Sequence, residues 1–267
     1  MFDKRIEVQE IKRIGIIGSG NVATNLTVKF KNSGIEVAQV FTRNRKSLNT
    51  FITGCQPSVI ADIKLFDSSL DLIIIATPDD SIEQIAKEIL TKIPVVHTSG
   101  SIPLKKIDIK HKRGVFYPLQ TFSKSADLEF SEVPFCIETM RKEDSNKLIT
   151  LAKYMGSPSY MINTEQRQAL HLSAVFINNF SNHLYRIAHE LSDYKSVNFD
   201  VLKPLILETA KKIQSTSPYN AQTGPAKRND QVTINHHLRT LESHPDYQAI
   251  YKQLTNSIKI THGLKKL

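Results

Sequence analysis

Arg13-Ile14-Gly15-Ile16-Ile17-Gly18-Ser19-Gly20-Asn21-Val22-Ala23 decides how this chain is read. Its first five residues are a short apolar run of the length of a buried strand. Glycines follow at 18 and 20, then a small alanine at 23. Val22, Leu26 and Phe30 recur at helical spacing up to Gly34, and Ile35 to Phe41 is a second stretch of strand length. Strand, glycine turn, helix, strand is a βαβ unit. In such a unit Gly18 permits the tight turn, Gly20 lets backbone approach a pyrophosphate, and Ala23 lets the helix pack close to the sheet. The helix N-terminus adds N–H groups and positive dipole for phosphate. A lone glycine pattern is weak and reads equally well as an ordinary turn. Here it follows a strand, opens a helix and heads a long alternation. Gly18, Ser19, Gly20, Asn21 and Val22 are therefore read as a dinucleotide-binding turn.

The alternation continues downstream. Asp71 to Ala76 is almost purely β-branched, as expected of a strand covered on both faces. Asp80 and Glu83 look like a helix cap, and Ile82, Ile85, Ala86 and Ile89 form the buried side of the helix after it. Pro94–His97, Gly114–Tyr117 and Pro134–Ile137 are further strand candidates. A helix from Lys142 to Met155 stops at Gly156, and Ser159 to Ile162 is a last strand. This predicts an α/β Rossmann domain, a doubly wound and mostly parallel sheet, over residues 1–162. After Asn163 no strand pattern recurs. Helices are expected over Thr164–Tyr194 and Val201–Ser215, then a loop from Ser217 to Pro225 and two more helices. Residues 163–267 are thus expected to form an all-α domain.

Bulk properties narrow the function classes. The 267 residues are 40% hydrophobic and 23% charged, a globular balance. No apolar run reaches the ~18 residues of a membrane span. The first residues, with Asp3, Lys4, Arg5, Glu7 and Glu10, lack the apolar core of a signal peptide. Cys55 and Cys136 are far apart and show no metal or redox spacing. A cytoplasmic protein with no disulfide, no metal and no membrane contact is the expectation. The net charge of +9 attracts anions. Its basic pairs are scattered, at Lys105-Lys106, Lys112-Arg113, Lys211-Lys212 and Lys265-Lys266, with no stripe interleaved with aromatics. That argues against nucleic acid and for a small anionic metabolite or a phosphate-bearing cofactor.

The end of the second strand selects the cofactor. An acidic residue there would hold both ribose hydroxyls and repel a 2′-phosphate. This chain reads Thr42-Arg43-Asn44-Arg45-Lys46 instead. Arginine forks pair bidentately with phosphate. NADP(H) is therefore favoured over NAD(H), with Arg43 as the main 2′-phosphate ligand and Thr42, Arg45 and Lys46 assisting; the plain alternative is an exposed basic loop. In an open α/β sheet the ligand lies beyond the carboxyl ends of the strands. Thr77-Pro78-Asp79 and His97-Thr98-Ser99-Gly100-Ser101 come directly after two such ends and should border the nicotinamide. Pro78 and Gly100 are equally explained as turn residues, and Ser99 and Ser101 fit either reading.

The helical half carries its own polar features. His171, Val175, Asn178, Asn182, Tyr185 and His189 step by four, three, four, three and four, which draws one stripe on a helix. Facing the cofactor, His171 would serve as general acid; facing solvent or a second subunit, it would be structural. Thr223-Gly224-Pro225-Ala226-Lys227-Arg228-Asn229-Asp230 is the other dense stretch. Arg228 there reads either as a fork for a substrate carboxylate or as a salt bridge to Asp230. His236 and His237 are adjacent, point apart on a helix and suggest no metal site.

Taken together, these stretches resemble a bacterial family that joins a Rossmann-like NADP-oxidoreductase domain to a C-terminal helical domain of unknown function, number 2520. The resemblance rests on Gly15–Ala23, Thr77–Asp79, His97–Ser101, Tyr117-Pro118-Leu119-Gln120-Thr121-Phe122-Ser123, His171 with Asn178 and Asn179, and Thr223–Asp230. It spans nearly the whole chain. More distantly the chain resembles pyrroline-5-carboxylate reductase, ketopantoate reductase and the 3-hydroxyacid dehydrogenases. That kinship implies a C-terminal domain of the 6-phosphogluconate-dehydrogenase-like type and a homodimer formed through its helices. The hydroxyacid dehydrogenases and ketopantoate reductases carry a Lys and an Asn one helical turn apart. Here His171 stands in the region of that Lys, and Asn178 is two turns on.

The expected activity is NADPH-dependent reduction of a small carboxylate-bearing ketone or imine. His171 would donate the proton and Asn178 orient the substrate oxygen. Ser101, Gln120, Thr223 and Arg228 are the candidate substrate contacts. The alternatives are an NADP-binding sensor without turnover and a reductase that uses a reduced deazaflavin to make NADPH.

Overall fold

A computed structural model of the chain describes residues 10–44, 56–123 and 128–264. The chain divides into two compact units, residues 1–179 and residues 180–267. In the first unit eight strands form one sheet: β1 (Arg13–Ile17), β2 (Glu36–Phe41), β3 (Ser58–Val59), β4 (Leu72–Ile75), β5 (Val95–His97), β6 (Arg113–Pro118), β7 (Phe135–Thr139) and β8 (Ser159–Met161). Their spatial order is β3-β2-β1-β4-β5-β6-β7-β8. Every neighbouring pair is parallel except β6 with β7. The order turns back between β1 and β4, which is the switch point where such sheets bind ligands. The doubly wound, mostly parallel sheet is as expected; β3, two exposed residues long, has no sequence signature.

Side chains of the central strands alternate between two cores, because successive residues of a strand face opposite ways. Ile14, Ile16, Leu72 and Ile74 join one cluster with Ala23, Leu26 and Phe30 of helix α1 (Asn21–Asn32) and Leu148, Leu151 and Ala152 of helix α3 (Lys142–Tyr154). Ile17, Ile73 and Ile75 join the other with Ile82, Ile85 and Ala86 of helix α2 (Ile82–Glu88). The β-branched runs are thus covered on both faces.

The cap expected at Asp80 does not form. A single 3₁₀ turn, Asp79–Ser81, precedes α2. Ser81 Oγ closes the link by donating to the Pro78 carbonyl at 2.7 Å, and it shares a hydrogen bond of 2.9 Å with the Thr77 hydroxyl, which can donate to it. A serine hydroxyl bonding back over three residues competes with capping the next helix.

Past β8, Asn163 opens helix α4 (Thr164–Ala174) with a capping box: its side chain accepts from the Gln166 N–H, and Gln166 Oε1 accepts from the Asn163 N–H. Residues Val175–Phe180 then form a π-helical segment that leads into α5 (Ser181–Asp193). The single stripe expected from His171 to His189 is therefore interrupted. A π turn takes in an extra residue, which rotates the residues beyond it by roughly 100° relative to a uniform α-helix. His171 is half-buried, whereas Asn178, Asn182, Tyr185 and His189 are exposed. The second unit continues as α6 (Lys203–Ser215), α7 (Pro218–Ala221), α8 (Gln231–Thr240) and α9 (Pro245–Thr261). Among the described residues no helix is long and apolar enough to cross a membrane.

Candidate active site

The carboxyl ends of β1, β2, β4 and β5 open into one cleft of about 920 Å³. At its centre is the glycine turn. Gly18 has φ +117°, and a Cβ there would lie 2.2 Å from the Ala76 carbonyl oxygen, so only glycine fits between the β1 and β4 ends. Its N–H donates to the Phe41 carbonyl at 2.8 Å, drawing the turn onto β2. At Gly20 a Cβ would meet nothing within 4 Å; the backbone there faces open cleft. Gly20 is also the N-cap of α1 and supplies no capping side chain. The first-turn N–H groups of a helix so started are those that hold anions. Ala23, fully buried, lets α1 lie close against the sheet.

Ser19, Asn21 and Val22 line the cleft beside the glycines. Ser19 Oγ and Thr42 Oγ1 are hydrogen-bonded at 2.9 Å, and Thr42 Oγ1 also accepts from the Asn44 N–H at 3.1 Å. These two bonds fix the bend after β2 and leave Arg43 exposed at the cleft wall. The assisting Arg45 and Lys46 lie outside the described residues. The Asn21 amide is engaged with the segment after β6: it donates to the Phe122 carbonyl at 2.8 Å, and Asn25 one turn on donates to that of Ser123 at 3.0 Å.

Thr77, Pro78, Asp79 and Ser99 complete the expected lining. The loop after β5 is tied together by its own polar groups. His97, fully buried, accepts the Ser99 N–H at Nδ1 (3.1 Å), while its Nε2 finds no partner among the described residues. Burial, reinforced by the Arg167 guanidinium, pushes its titration down to about 3, so the ring is neutral. Ser99 Oγ accepts from the N–H groups of Ser101 and Ile102, both at 3.0 Å.

His171 is brought to the same cleft, and with it Tyr117 of β6, the first residue of the Tyr117–Ser123 stretch on which the family resemblance rests. Tyr117 Oη and His171 Nδ1 are 3.2 Å apart. Burial pushes the phenol up to about 12; Cys136 and Asp79 act in the same direction and Arg167 against it. Gly100 packs against both rings: a Cβ there would sit 2.7 Å from His171 Nδ1 and 2.8 Å from Tyr117 Cζ. Helix α4 is tied to the loop after β5 by Arg167, which donates to the Ile102 carbonyl at 2.6 Å and pairs with Glu138, and by Gln168, which donates to the Ser101 carbonyl at 2.7 Å.

Within the first unit, the expected contacts Ser101, Gln120 and Asn178 do not line this cleft. Ser101 takes part through its backbone alone. Gln120 is exposed, its Oε1 accepting from the Thr121 N–H at 2.8 Å. Asn178 lies exposed in the π segment. Thr223 and Arg228 are exposed residues of the second unit. The Arg228–Asp230 ion pair is long, at 4.0 Å, and Asp230 instead caps α8 by accepting from Thr233 N–H and Oγ1 at 3.0 and 2.8 Å.

A nucleotide cleft at the switch point, with a phenol–imidazole pair in its wall, defines an oxidoreductase of the Rossmann type. Residues 13–98 match the coenzyme F420-dependent NADP oxidoreductase family, and residues 133–258 match the domain of unknown function DUF2520. A Bacteroides fragilis protein of known structure, named as a candidate NADP oxidoreductase, is 36% identical over 96% of this chain and 100% of its own, with a TM-score of 0.85. The chain belongs to this family of NADP oxidoreductases with a DUF2520 domain. An imine reductase of Myxococcus stipitatus, solved with NADP+, superposes with a TM-score of 0.64 at 14% identity, over 96% of this chain and 97% of its own. A pyrroline-5-carboxylate reductase of Streptococcus pyogenes does so with a TM-score of 0.62 at 13% identity, over 94% and 98%. At those identities the two show a common fold. A comparison with curated proteins returned no match.

Proposed function

We propose that the protein reduces a small carboxylate-bearing ketone or imine with NADPH. The observation that carries this reading is the presence of His171, Tyr117 and the Gly18–Gly20 turn in one cleft. The residues fit the cofactor: Gly20 and the start of α1 would hold the pyrophosphate, Arg43 and Thr42 the 2′-phosphate, and Thr77 and Ser99 would border the nicotinamide. Bound there, NADPH supplies a hydride to the carbonyl or imine carbon. The oxygen or nitrogen left with the electron pair of the broken π bond then needs one proton. His171 delivers it from its ring nitrogen and is reprotonated from solvent. Proton donation of this kind is worth ~10²–10⁴-fold.

Arg228, exposed in the second unit, is the proposed fork for the substrate carboxylate; Arg228→Lys should then raise KM with little change in kcat. The second unit also exposes Val201, Leu205, Leu207 and Ile213. Exposed apolar patches often mark protein–protein contacts, and a second copy of the chain is the proposed cover, to be checked by light scattering of the purified protein.

The test of the activity is titration with NADPH and NADH, then NADPH oxidation with a panel of 2-oxo acids, cyclic imine carboxylates and an oxidised deazaflavin. Turnover of a 2-oxo acid or cyclic imine, reduced ~10²–10⁴-fold in His171→Ala, is the expected result. Turnover of the deazaflavin alone would assign the site to cofactor exchange. Nucleotide binding without turnover of any of them would make the protein a sensor.

A further inference from the structure

We infer that Tyr117 is a positioning residue for His171: its phenol occupies Nδ1 of the imidazole, so Nε2 is the nitrogen offered to the substrate. This inference rests on the proposed role of His171.

The contact is built by the fold and not by local chain. Tyr117 lies on β6 and His171 on α4, 54 residues apart. The rings meet edge to face, centroids 6.1 Å apart at 71°. Gly100 closes the third side: a Cβ there would lie 2.7 Å from the His171 ring and 2.8 Å from that of Tyr117, so a side chain enters only by pushing the rings aside. The neighbour of Tyr117 in the strand, Phe116, serves the core by stacking on Phe135. Strand alternation turns Tyr117 to the opposite face, where it lines the cleft.

The chemistry of a phenol suits the task. Its environment, buried with Cys136 and Asp79 nearby and opposed only by Arg167, keeps the proton on the oxygen. A protonated phenol both donates and accepts. It donates O–H to Nδ1 of a neutral ring and accepts from Nδ1–H of a charged one. In both states Nδ1 is engaged and Nε2 is left for chemistry. A carboxylate could only accept and would favour the charged ring throughout. Glu138, the carboxylate paired with this part of α4, is held by Arg167 one turn before His171.

The test is the long-range ¹H–¹⁵N spectrum of His171 in protein carrying labelled histidine, recorded with and without Tyr117→Phe at a pH where the ring is neutral. A single tautomer with the proton on Nε2 in the parent, and a mixture in Tyr117→Phe, is expected. An unchanged tautomer would overturn the inference. In turnover, Tyr117→Phe should lower kcat about tenfold, the size of one hydrogen bond, with KM for NADPH unchanged. Tyr117→Phe should have no further effect in a His171→Ala background; an equal loss there would also overturn it. The spectrum needs no substrate, so a protein that turns nothing over still decides the tautomer question. Should Tyr117→Phe not fold, fluorotyrosine incorporation keeps the ring and acidifies the hydroxyl. The His171 nitrogens must then shift, and unmoved resonances would count against the contact.

Discussion

The Arg167 guanidinium, fully buried at the start of α4, is paired with the Glu138 carboxylate on β7, which is 17% exposed. Glu138 also accepts from Thr164 Oγ1 at 2.9 Å, and Arg167 reaches the Ile102 carbonyl. One ion pair thus joins the sheet, the loop after β5 and the helix that carries His171. Removing one partner of a buried pair leaves an uncompensated charge and costs about 3–5 kcal/mol. Arg167→Met should destabilise by that amount in urea unfolding. Arg167→Met combined with Glu138→Leu should recover most of the stability, because apolar replacements of a buried pair are often neutral. It should not recover kcat, since the Ile102 carbonyl has lost its donor. A single Arg167→Met variant as stable as the parent would show that the pair carries no such weight.

Gly100 is constrained by space. Its Cβ position is filled by the rings of His171 and Tyr117, not forbidden by a positive φ. Gly100→Ala should therefore push the two rings apart, costing about 1–3 kcal/mol of stability as an overpacked site. Displacing a catalytic group by about 1 Å costs on the order of 10²-fold in rate, and kcat should fall by that much. An alanine variant with the parent's kcat would mean that the ring pair has room to move and that its geometry does not set the rate.

Arg43 is held at the cleft wall by the Ser19–Thr42 bond and by the Asn44 amide. Hydrogen bonds to charged groups contribute about 1.5–3 kcal/mol. Arg43→Ala should accordingly weaken NADPH roughly 10- to 100-fold and leave NADH unchanged. The NADPH affinity of the parent should also fall with added salt, as an exposed ion contact is screened. Equal weakening of both nucleotides would remove Arg43 as the reader of the 2′-phosphate.

How far the amino-acid sequence can be read depends on the range of the interactions. The β1–glycine turn–α1 unit is encoded over some twenty consecutive residues, in apolar periodicity and in Gly18 and Gly20. It is legible, and the cleft residues attached to strand ends come with it. The long polar stripe assumes a single period through Val175–Phe180, and the π segment leaves no compositional mark in six residues. Tyr117 stands in a stretch of the family resemblance, but its pairing with His171 is hidden because its hydroxyl partner comes from another element. Arg167 looks like one more polar residue of a helix start; its burial depends on Glu138 and Ile102, both far away in the chain. The one available hint is that Arg167 and His171 stand one turn apart on the same face.

His97 makes the stability of the first unit depend on pH. Its ring is fully buried, and its titration lies at about 3 against 6.5 for a free histidine, through burial first and the charge of Arg167 second. Between those values the unfolded chain binds one proton that the folded protein refuses. Stability must then fall as the pH falls from 6.5 towards 3, and the penalty is absent above 6.5. Integrated from pH 7 to pH 4.5, this group alone should remove about 2 kcal/mol. His97→Asn keeps an acceptor for the Ser99 N–H and cannot titrate there. It should be somewhat less stable than the parent at pH 7, because a smaller side chain leaves space. Its loss between pH 7 and pH 4.5 should be smaller than the parent's by about those 2 kcal/mol. Urea midpoints of both proteins at the two pH values give the comparison. Parallel acid destabilisation in the two would mean that His97 takes up its proton while folded, through an opening of the loop after β5, and that this loop is less rigid than its hydrogen bonds imply.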